Sequence, residues 1–574
     1  MDCTTCTPTP ARQDRPHTFL AHEYAACPAC AARIEGRVVL RAGKVYNLLR
    51  CLACGPQEIL VAGDAGRYLV EFLAKGQVPQ GHQGDWFFKT TTSTCPSCLA
   101  LLEAEVVIRD GRVFFKKACG RCGPSEALVS EDARYYVQAY AFARAGTEPL
   151  QFTQEAKAGC PVDCGTCSDH EQHTCLPIIE VTDHCNLECP ICIVDNQYSS
   201  HMSLGVFENT IAGLVRAEGR CESVAICGGE PTSHPRIFDL IRAADRPEIG
   251  RVVLITNGLR IGRDLGFARQ IKDSGAYVAL QLDGFDAETH RVLRGRDLTE
   301  EKAATLRVLR ELKIPTQLIF VAARGVNEHQ IGQAVDLLLG EDHILSLNFQ
   351  PVAFTGNGGG RFTNDPLDRL TIPGVIDAVD KQTRGRIRKS DFSPLPCSHP
   401  QCVSLTYLLR LNDGTYLPFP RFIDFRKHNG LLRSSATLPA TAEMHDTLHE
   451  IIHDVYARED DTERGSDVLA ALRRALDVMF PGRPVSMREE LRIGEMQAKS
   501  IFLHHYMDPH DFDLERLRKC CHHYAQADGR IMPACGFNLF HRGAAKGPDT
   551  AVPAWAKNAP LGSGTASARL RVVT

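Results

Sequence analysis

Twenty-four cysteines, gathered into short-range pairs and triplets, constrain this 574-residue chain more than any other feature. Thiols at such spacing close either disulfides or metal sites, and compartment decides between the two. The stretch Met1 to His17 has no apolar segment of the secretory kind, and no run of about 18 apolar residues occurs. The chain is therefore expected to be cytoplasmic or peripheral to a membrane, with cysteines that bind metal. Hydrophobic residues at 44% leave ample material for buried cores, and a net charge of −4 argues against a protein built to coat nucleic acid.

The N-terminal cysteines form a repeat. Cys27-x-x-Cys30 and Cys51-x-x-Cys54 recur 68 residues downstream as Cys95-x-x-Cys98 and Cys119-x-x-Cys122, and positions 27–68 and 95–136 share 20 identities. Repeats of this kind mean duplicated structural units. In each, a β-rich spacer turns at Ala42-Gly43 or at its counterpart, so a hairpin between two knuckles sets four thiolates around one tetrahedral ion. Zinc would staple the fold, and iron in a rubredoxin-like site would carry an electron. Gly76 to Gly84 reads as a polar linker between the repeats, and Cys3-x-x-Cys6 sits in a Thr/Pro-rich tail.

Two clusters follow back to back. Cys160, Cys164, Cys167 and Cys175 lie within sixteen residues, a spacing suited to an auxiliary iron–sulfur cluster. After the apolar run Leu176–Val181 comes Cys185-x₃-Cys189-x₂-Cys192. Three thiolates on a four-iron cluster leave one iron open to a ligand, as a catalytic metal site keeps a free position. Downstream, strand candidates Ser223–Cys227, Arg251–Ile255, Ala276–Leu282, Thr316–Val321 and Ile344–Gln350 alternate with amphipathic stretches 206–217, 262–274, 300–312 and 328–339. Six βα units predict a parallel sheet, open or curled into a partial barrel, with its chemistry at the C-terminal strand ends. Gly356–Gly360 reads as a mobile loop. Further on, Cys397 and Cys402, with Cys520 or Cys521 and with Cys535 across an Asp528-Gly529 turn, furnish a second auxiliary cluster. Cys221 and Cys227 read as buried thiols.

The Cys185–Cys192 loop after a first strand, with Gly228-Gly229-Glu230-Pro231 after the second, resembles the radical S-adenosylmethionine (SAM) superfamily. The resemblance implies that Cys185, Cys189 and Cys192 ligate a catalytic [4Fe–4S] cluster whose open iron binds SAM. It places Gly228, Gly229 and Glu230 at the methionyl amino group, and Thr256, Asn257, Gln281 and Asp283 around the remainder. Ile191 stands where many members carry an aromatic. The motifs GCPVDCGTCSDHEQHTC, QLDG, QPVAFTG, PCSHPQC and CCHHYAQADGRIMPAC, with the ribbon before them, are similar to the tetraether lipid synthase group, from about Cys95 to Arg542. Those enzymes join hydrocarbon tails by carbon–carbon bond formation. The first ribbon is an extra copy, and the second ends in Cys-Gly-Arg-Cys-Gly where relatives often show Cys-x-x-His-Gly.

The expected fold is α/β: a partial (βα)₆ radical SAM barrel over 179–390, preceded by a flexible tail (1–20), two Cys₄ zinc-ribbon or rubredoxin-like modules (21–75 and 90–145) and an auxiliary segment (150–178). An auxiliary-cluster region (391–545) and a disordered tail (546–574) follow. Expected cofactors are the catalytic [4Fe–4S] cluster, SAM, one or two auxiliary [4Fe–4S] clusters, and zinc or iron in the ribbons. Expected partners are an electron donor such as flavodoxin or ferredoxin and a membrane lipid substrate, with no nucleic acid. A peptide-modifying radical SAM enzyme is the main rival, and a nucleic-acid-modifying one the lesser.

Overall fold

A computed structural model describes residues 11–542 apart from 195–199, 360–361, 363–364, 434, 436, 439–440 and 484. The Cys3/Cys6 tail and the 546–574 tail lie outside the described residues.

Each N-terminal repeat folds into a four-stranded antiparallel sheet in sequential order. The first holds β1 (Thr18–Ala26), β2 (Arg33–Arg41), β3 (Lys44–Cys51) and β4 (Gly55–Ala62); the second holds β5 (Trp86–Thr94), β6 (Leu101–Arg109), β7 (Arg112–Cys119) and β8 (Gly123–Ser130). Both central hairpins turn on two left-handed residues, Ala42 and Gly43 (φ 48° and 75°) and Asp110 and Gly111 (φ 50° and 73°). That geometry matches the twist of the flanking strands. Each unit closes on a helix capped by an equivalent aspartate, Asp64 accepting from Arg67 N and Asp132 from Tyr135 N. Identical caps and turns are the physical content of the sequence repeat. The two sheets share one apolar core, in which Leu20, Val38, Val45 and Phe72 meet Phe88, Val106, Phe115 and Tyr136.

The remaining strands join one 12-stranded sheet. Its centre is the expected parallel set: β9 (Leu176–Thr182), β10 (Val224–Gly228), β11 (Val252–Thr256), β12 (Tyr277–Gln281), β13 (Thr316–Ala322) and β14 (Ile344–Pro351), paired in that order. These strands read as nearly continuous apolar runs because helices cover the outer face. Ile179, Ile226, Leu254, Val278 and Leu318 are buried against Phe207 and Ile211 of Leu204–Glu218, Leu240 of Ile237–Ala244, Ile271 of Leu265–Ser274 and Leu338 of Ile331–Gly340. The stretch 262–274 is broken in two, because Asp264 leaves the helical region to accept from Phe267 N and start a new helix.

The sheet extends beyond the six units on both sides. In chain order come β15 (Ser393–Pro394), β16 (Val403–Arg410), β17 (Tyr416–Pro418), β18 (Ala498–His504), β19 (His522–Ala525) and β20 (Ile531–Pro533). Strand β18 adds in parallel to β14, and β19 adds in parallel to β9. Antiparallel β16 lies on β18, and β20 pairs with β19 across Asp528-Gly529, the hairpin that those residues predict. Between β17 and β18, helices Ala442–Ala457, Gly465–Met479 and Met487–Gln497 build a satellite core on β16 through Leu448, Ile451, Val455, Leu469 and Leu472. Among the described residues no helix is long and apolar enough to cross a membrane.

Candidate functional site

The loop after β9 carries Cys185, Cys189 and Cys192 to the C-terminal end of the sheet. What holds it there is the turn after β10. Gly229 N donates to Thr182 O (2.7 Å) and Glu230 N to His184 O (2.7 Å), zipping the two loops together. A Cβ on Gly228 would lie 2.1 Å from Thr182 O and one on Gly229 2.3 Å from His184 O, and Gly228 has φ 135°. The two glycines are thus dictated by close approach to the cysteine loop itself. On the other side, Gly356 sits with its own Cβ position 2.3 Å from Ile193 O, and Gly359 N donates to Cys192 O (2.9 Å). Expected to be mobile, Gly356–Gly359 is instead a helical turn braced on the loop; Gly360 lies outside the described residues.

The three thiols suit a positively charged metal group. Burial, and then the nearby Glu230 carboxylate, push the Cys185 thiol up to about 12, so thiolates here call for an adjoining cation. The donor set of three sulfurs around one cavity fits an iron–sulfur cluster with an open iron. Arg294 is a charged and hydrogen-bonded neighbour of Cys189 and also grips Asp283 with two bonds of 2.6 and 2.9 Å.

Glu230, only 1% exposed, is held with unusual completeness. Its Oε1 accepts from Thr232 N (3.0 Å), Thr232 Oγ1 (2.6 Å) and Thr256 Oγ1 (2.7 Å), whereas Oε2 accepts from Asn257 N alone (2.8 Å). One oxygen is saturated and the other retains acceptor capacity, the arrangement a ligand ammonium needs. Asn257 Nδ2 reaches Asn186 Oδ1 inside the cysteine loop (2.7 Å). Lys302 was not among the residues the sequence singles out. Its ammonium spans Asn257 O (2.7 Å), Gln281 O (2.5 Å) and Gln281 Oε1 (3.2 Å), tying β11 to β12, and burial holds its pKa down near 8. A Lys at that position in an amphipathic helix gives no signal in sequence that it points inward.

A cavity of about 220 Å³ opens here, lined by the three cysteines, Gly228 to Glu230, Thr256, Asn257, Gln281, Arg294 and the apolar Ile191, Val321 and Val352. Asp283, fully buried, stands behind this wall, bonded to Arg294 and Val321 N. Ile255 is shared with a second cavity of about 230 Å³ that descends inside the sheet past Ala225, Val253, Leu345 and Phe502. Cys175, Cys402, Cys520, Cys521 and Cys535 line that deeper chamber.

The auxiliary cysteines group differently from the sequence expectation. Cys175, placed with Cys160, Cys164 and Cys167 by spacing, meets Cys397 and Cys521 instead, their sulfurs within 4.8 Å of one another. Cys160, Cys520 and Cys167 lie around Cys164, and Cys535 and Cys402 around Cys520. Cys520 and Cys521 therefore do not compete for one place; they point to opposite partners. In the ribbons, Cys27, Cys30, Cys51 and Cys54 converge, as do Cys95, Cys98, Cys119 and Cys122. Cys221 and Cys227 are buried.

The Radical SAM superfamily model matches residues 179–338, and the HMPTM N-terminal zinc ribbon domain model matches residues 87–131. The chain is 29% identical over 484 residues to the 7,8-dihydro-6-hydroxymethylpterin dimethyltransferase of Methanocaldococcus jannaschii, a match covering 79% of this chain and 94% of that protein. It is 31% identical over 173 residues to the GTP 3′,8-cyclase of Chlorobaculum tepidum, covering 30% of this chain and 51% of the cyclase. Among solved structures, a radical SAM methyltransferase from Sphaerobacter thermophilus matches at 15% identity and a TM-score of 0.27, over 48% of this chain and 72% of that one.

Proposed function

We propose, on the premise that this chain belongs to the radical SAM superfamily, that it is an enzyme forming carbon–carbon bonds at unactivated carbons of long lipid alkyl chains. Cys185, Cys189 and Cys192 would hold a [4Fe–4S] cluster, which would supply the electron for reductive cleavage of SAM and so the radical chemistry that removes hydrogen from substrate. Such an enzyme needs an electron donor, and a flavodoxin or ferredoxin fits that role. The chain's own residues bind and shield. Glu230 Oε2 is disposed for the methionyl ammonium, the Arg294–Asp283 pair fixes the wall beside Cys189, and Ile191, Val321 and Val352 keep water from the reacting carbon.

One observation carries the substrate reading: the cysteine-loop cavity shares Ile255 as a wall with a second, mostly apolar cavity lined by the auxiliary thiols Cys402, Cys520 and Cys535. An alkyl tail drawn into such cavities gains about 0.8 kcal/mol per buried methylene. Hydrogen abstraction at one end and an auxiliary cluster at the other would then share one substrate. The lipid would be met at the membrane surface. A second reading, methyl transfer to a reduced pterin, is favoured by the dimethyltransferase relative, of which this chain spans 94%, and by the HMPTM ribbon. The experiment offers deuterium-labelled lipid, labelled pterin and labelled peptide separately with SAM and reductant. Deuterium should move from the lipid into 5′-deoxyadenosine, with coupled tails in the lipid mass spectrum. Label arriving from pterin or peptide alone would overturn the lipid reading.

A further inference from the structure

The described cysteines fall into two geometries. In both ribbons four sulfurs converge within 4.8 Å, Cys30 and Cys51 at 3.6 Å and Cys98 and Cys119 at 3.8 Å. That is the edge of a tetrahedron around one ion, about 3.8 Å for metal–sulfur bonds of about 2.3 Å. Cys185, Cys189 and Cys192 do not converge so tightly, as thiolates that each cap a different iron should not. Cys175, Cys397 and Cys521 belong with the ribbons: all three sulfurs lie within 4.8 Å, and Cys397 Sγ is 3.7 Å from Cys521 Sγ.

The surroundings suit a thiolate-held ion. His173 Nε2 lies 3.8 Å from Cys175 Sγ, while its Nδ1 accepts from Gln172 Nε2 (3.0 Å), so Nε2 carries the ring proton and donates to the sulfur. Gln172 Nε2 also approaches Cys175 Sγ (3.7 Å), a donor to a thiolate. Three thiolates and a divalent ion sum to one negative charge. Lys519, 1% exposed, stands two residues before Cys521 and donates to Arg144 O.

Position gives the site its purpose. Cys175 and Cys521 are the residues immediately before β9 and β19, which pair in parallel with Leu176 opposite His522. Cys175 N and Leu176 N both donate to Cys521 O (2.9 and 3.1 Å). The thiols thus sit at the start of this seam, at the opposite end of β9 from the Cys185–Cys192 loop. We propose that Cys175, Cys397 and Cys521 hold one thiophilic divalent ion, zinc or iron(II), that clamps β19 onto β9, with the proton on His173 Nε2 bonded to the Cys175 thiolate. The site is separate from any four-iron cluster, leaving Cys160, Cys164, Cys167, Cys402, Cys520 and Cys535 for the auxiliary iron–sulfur chemistry, and it stands whatever the substrate is.

The test measures zinc, iron and acid-labile sulfide per chain in the anaerobically loaded full-length protein and in Cys397→Ser. The variant should lose one metal ion and no sulfide, and its His522–Ala525 segment should exchange amide hydrogen faster. Loss of about four iron with four sulfide, or no loss of metal, would overturn the proposal. Should the variant fail to fold, anomalous diffraction at the zinc and iron edges from the wild-type protein decides. A single peak bonded to the three sulfurs upholds the clamp and names the ion; a multi-iron lobe, or no peak in fully loaded protein, refutes it.

Discussion

Lys302 shows how one side chain supports a site it does not form. Its ammonium is buried, and the pKa falls from 10.5 to about 8 because burial penalises the charged form more than Asp283 favours it. Between those two values the unfolded chain holds more protons than the folded one, so stability rises with pH across about 8 to 10.5. Lys302→Met removes that dependence. The wild type should therefore gain on the variant by up to about 1.4 kcal/mol per pH unit through this window. Thermal melts of both proteins from pH 7.5 to 10.5 check it; a constant difference in midpoint would show that the lysine is not held charged against its burial. At this scale the sequence exposes Glu230, because a carboxylate after two glycines has no ordinary structural use. It hides Lys302 and His173, whose roles depend on which neighbours face them.

At the scale of elements, the Gly228-Gly229 turn is the joint between strand and cluster loop. Gly229→Ala places a methyl 2.3 Å from His184 O, backbone that cannot yield without moving Cys185. The variant should lose the electron-paramagnetic signal of the reduced catalytic cluster while keeping the metal of both ribbons. A normal catalytic signal would show that the loops are not so coupled. The six central strands were legible because buried parallel strands are short apolar runs bounded by turn residues. Strand β18, Ala-Lys-Ser-Ile-Phe-Leu-His, was not: it mixes polar and apolar residues because Lys499 turns to Leu338 O and Glu341 O. In the ribbons the knuckles and central hairpin were legible because the repeat fixes them; the outer strands and closing helix were not, and residues 18–20, expected in a flexible tail, instead open β1, with Phe19 and Leu20 buried. The grouping of Cys175 with Cys397 and Cys521 was not, because spacing carries no information between thiols brought together only by sheet closure.

The whole molecule sets two four-stranded ribbon sheets beside one 12-stranded sheet. The ribbons dock on the C-terminal segment through buried polar contacts, Lys89 with Glu515 and Thr91 Oγ1 with Asp513 Oδ1 (2.7 Å). That segment supplies β19, β20 and three of the thiols lining the deep cavity, Cys520, Cys521 and Cys535. The central claim is that the Cys185–Cys192 loop, and no other cysteine group, powers the chemistry. The most direct measurement is 5′-deoxyadenosine released by anaerobically reconstituted protein with SAM and a strong reductant. Wild-type protein should release it. The variant with Cys185, Cys189 and Cys192 all replaced by Ala should release none while retaining its auxiliary iron and ribbon metal. Undiminished 5′-deoxyadenosine from that variant would contradict the assignment.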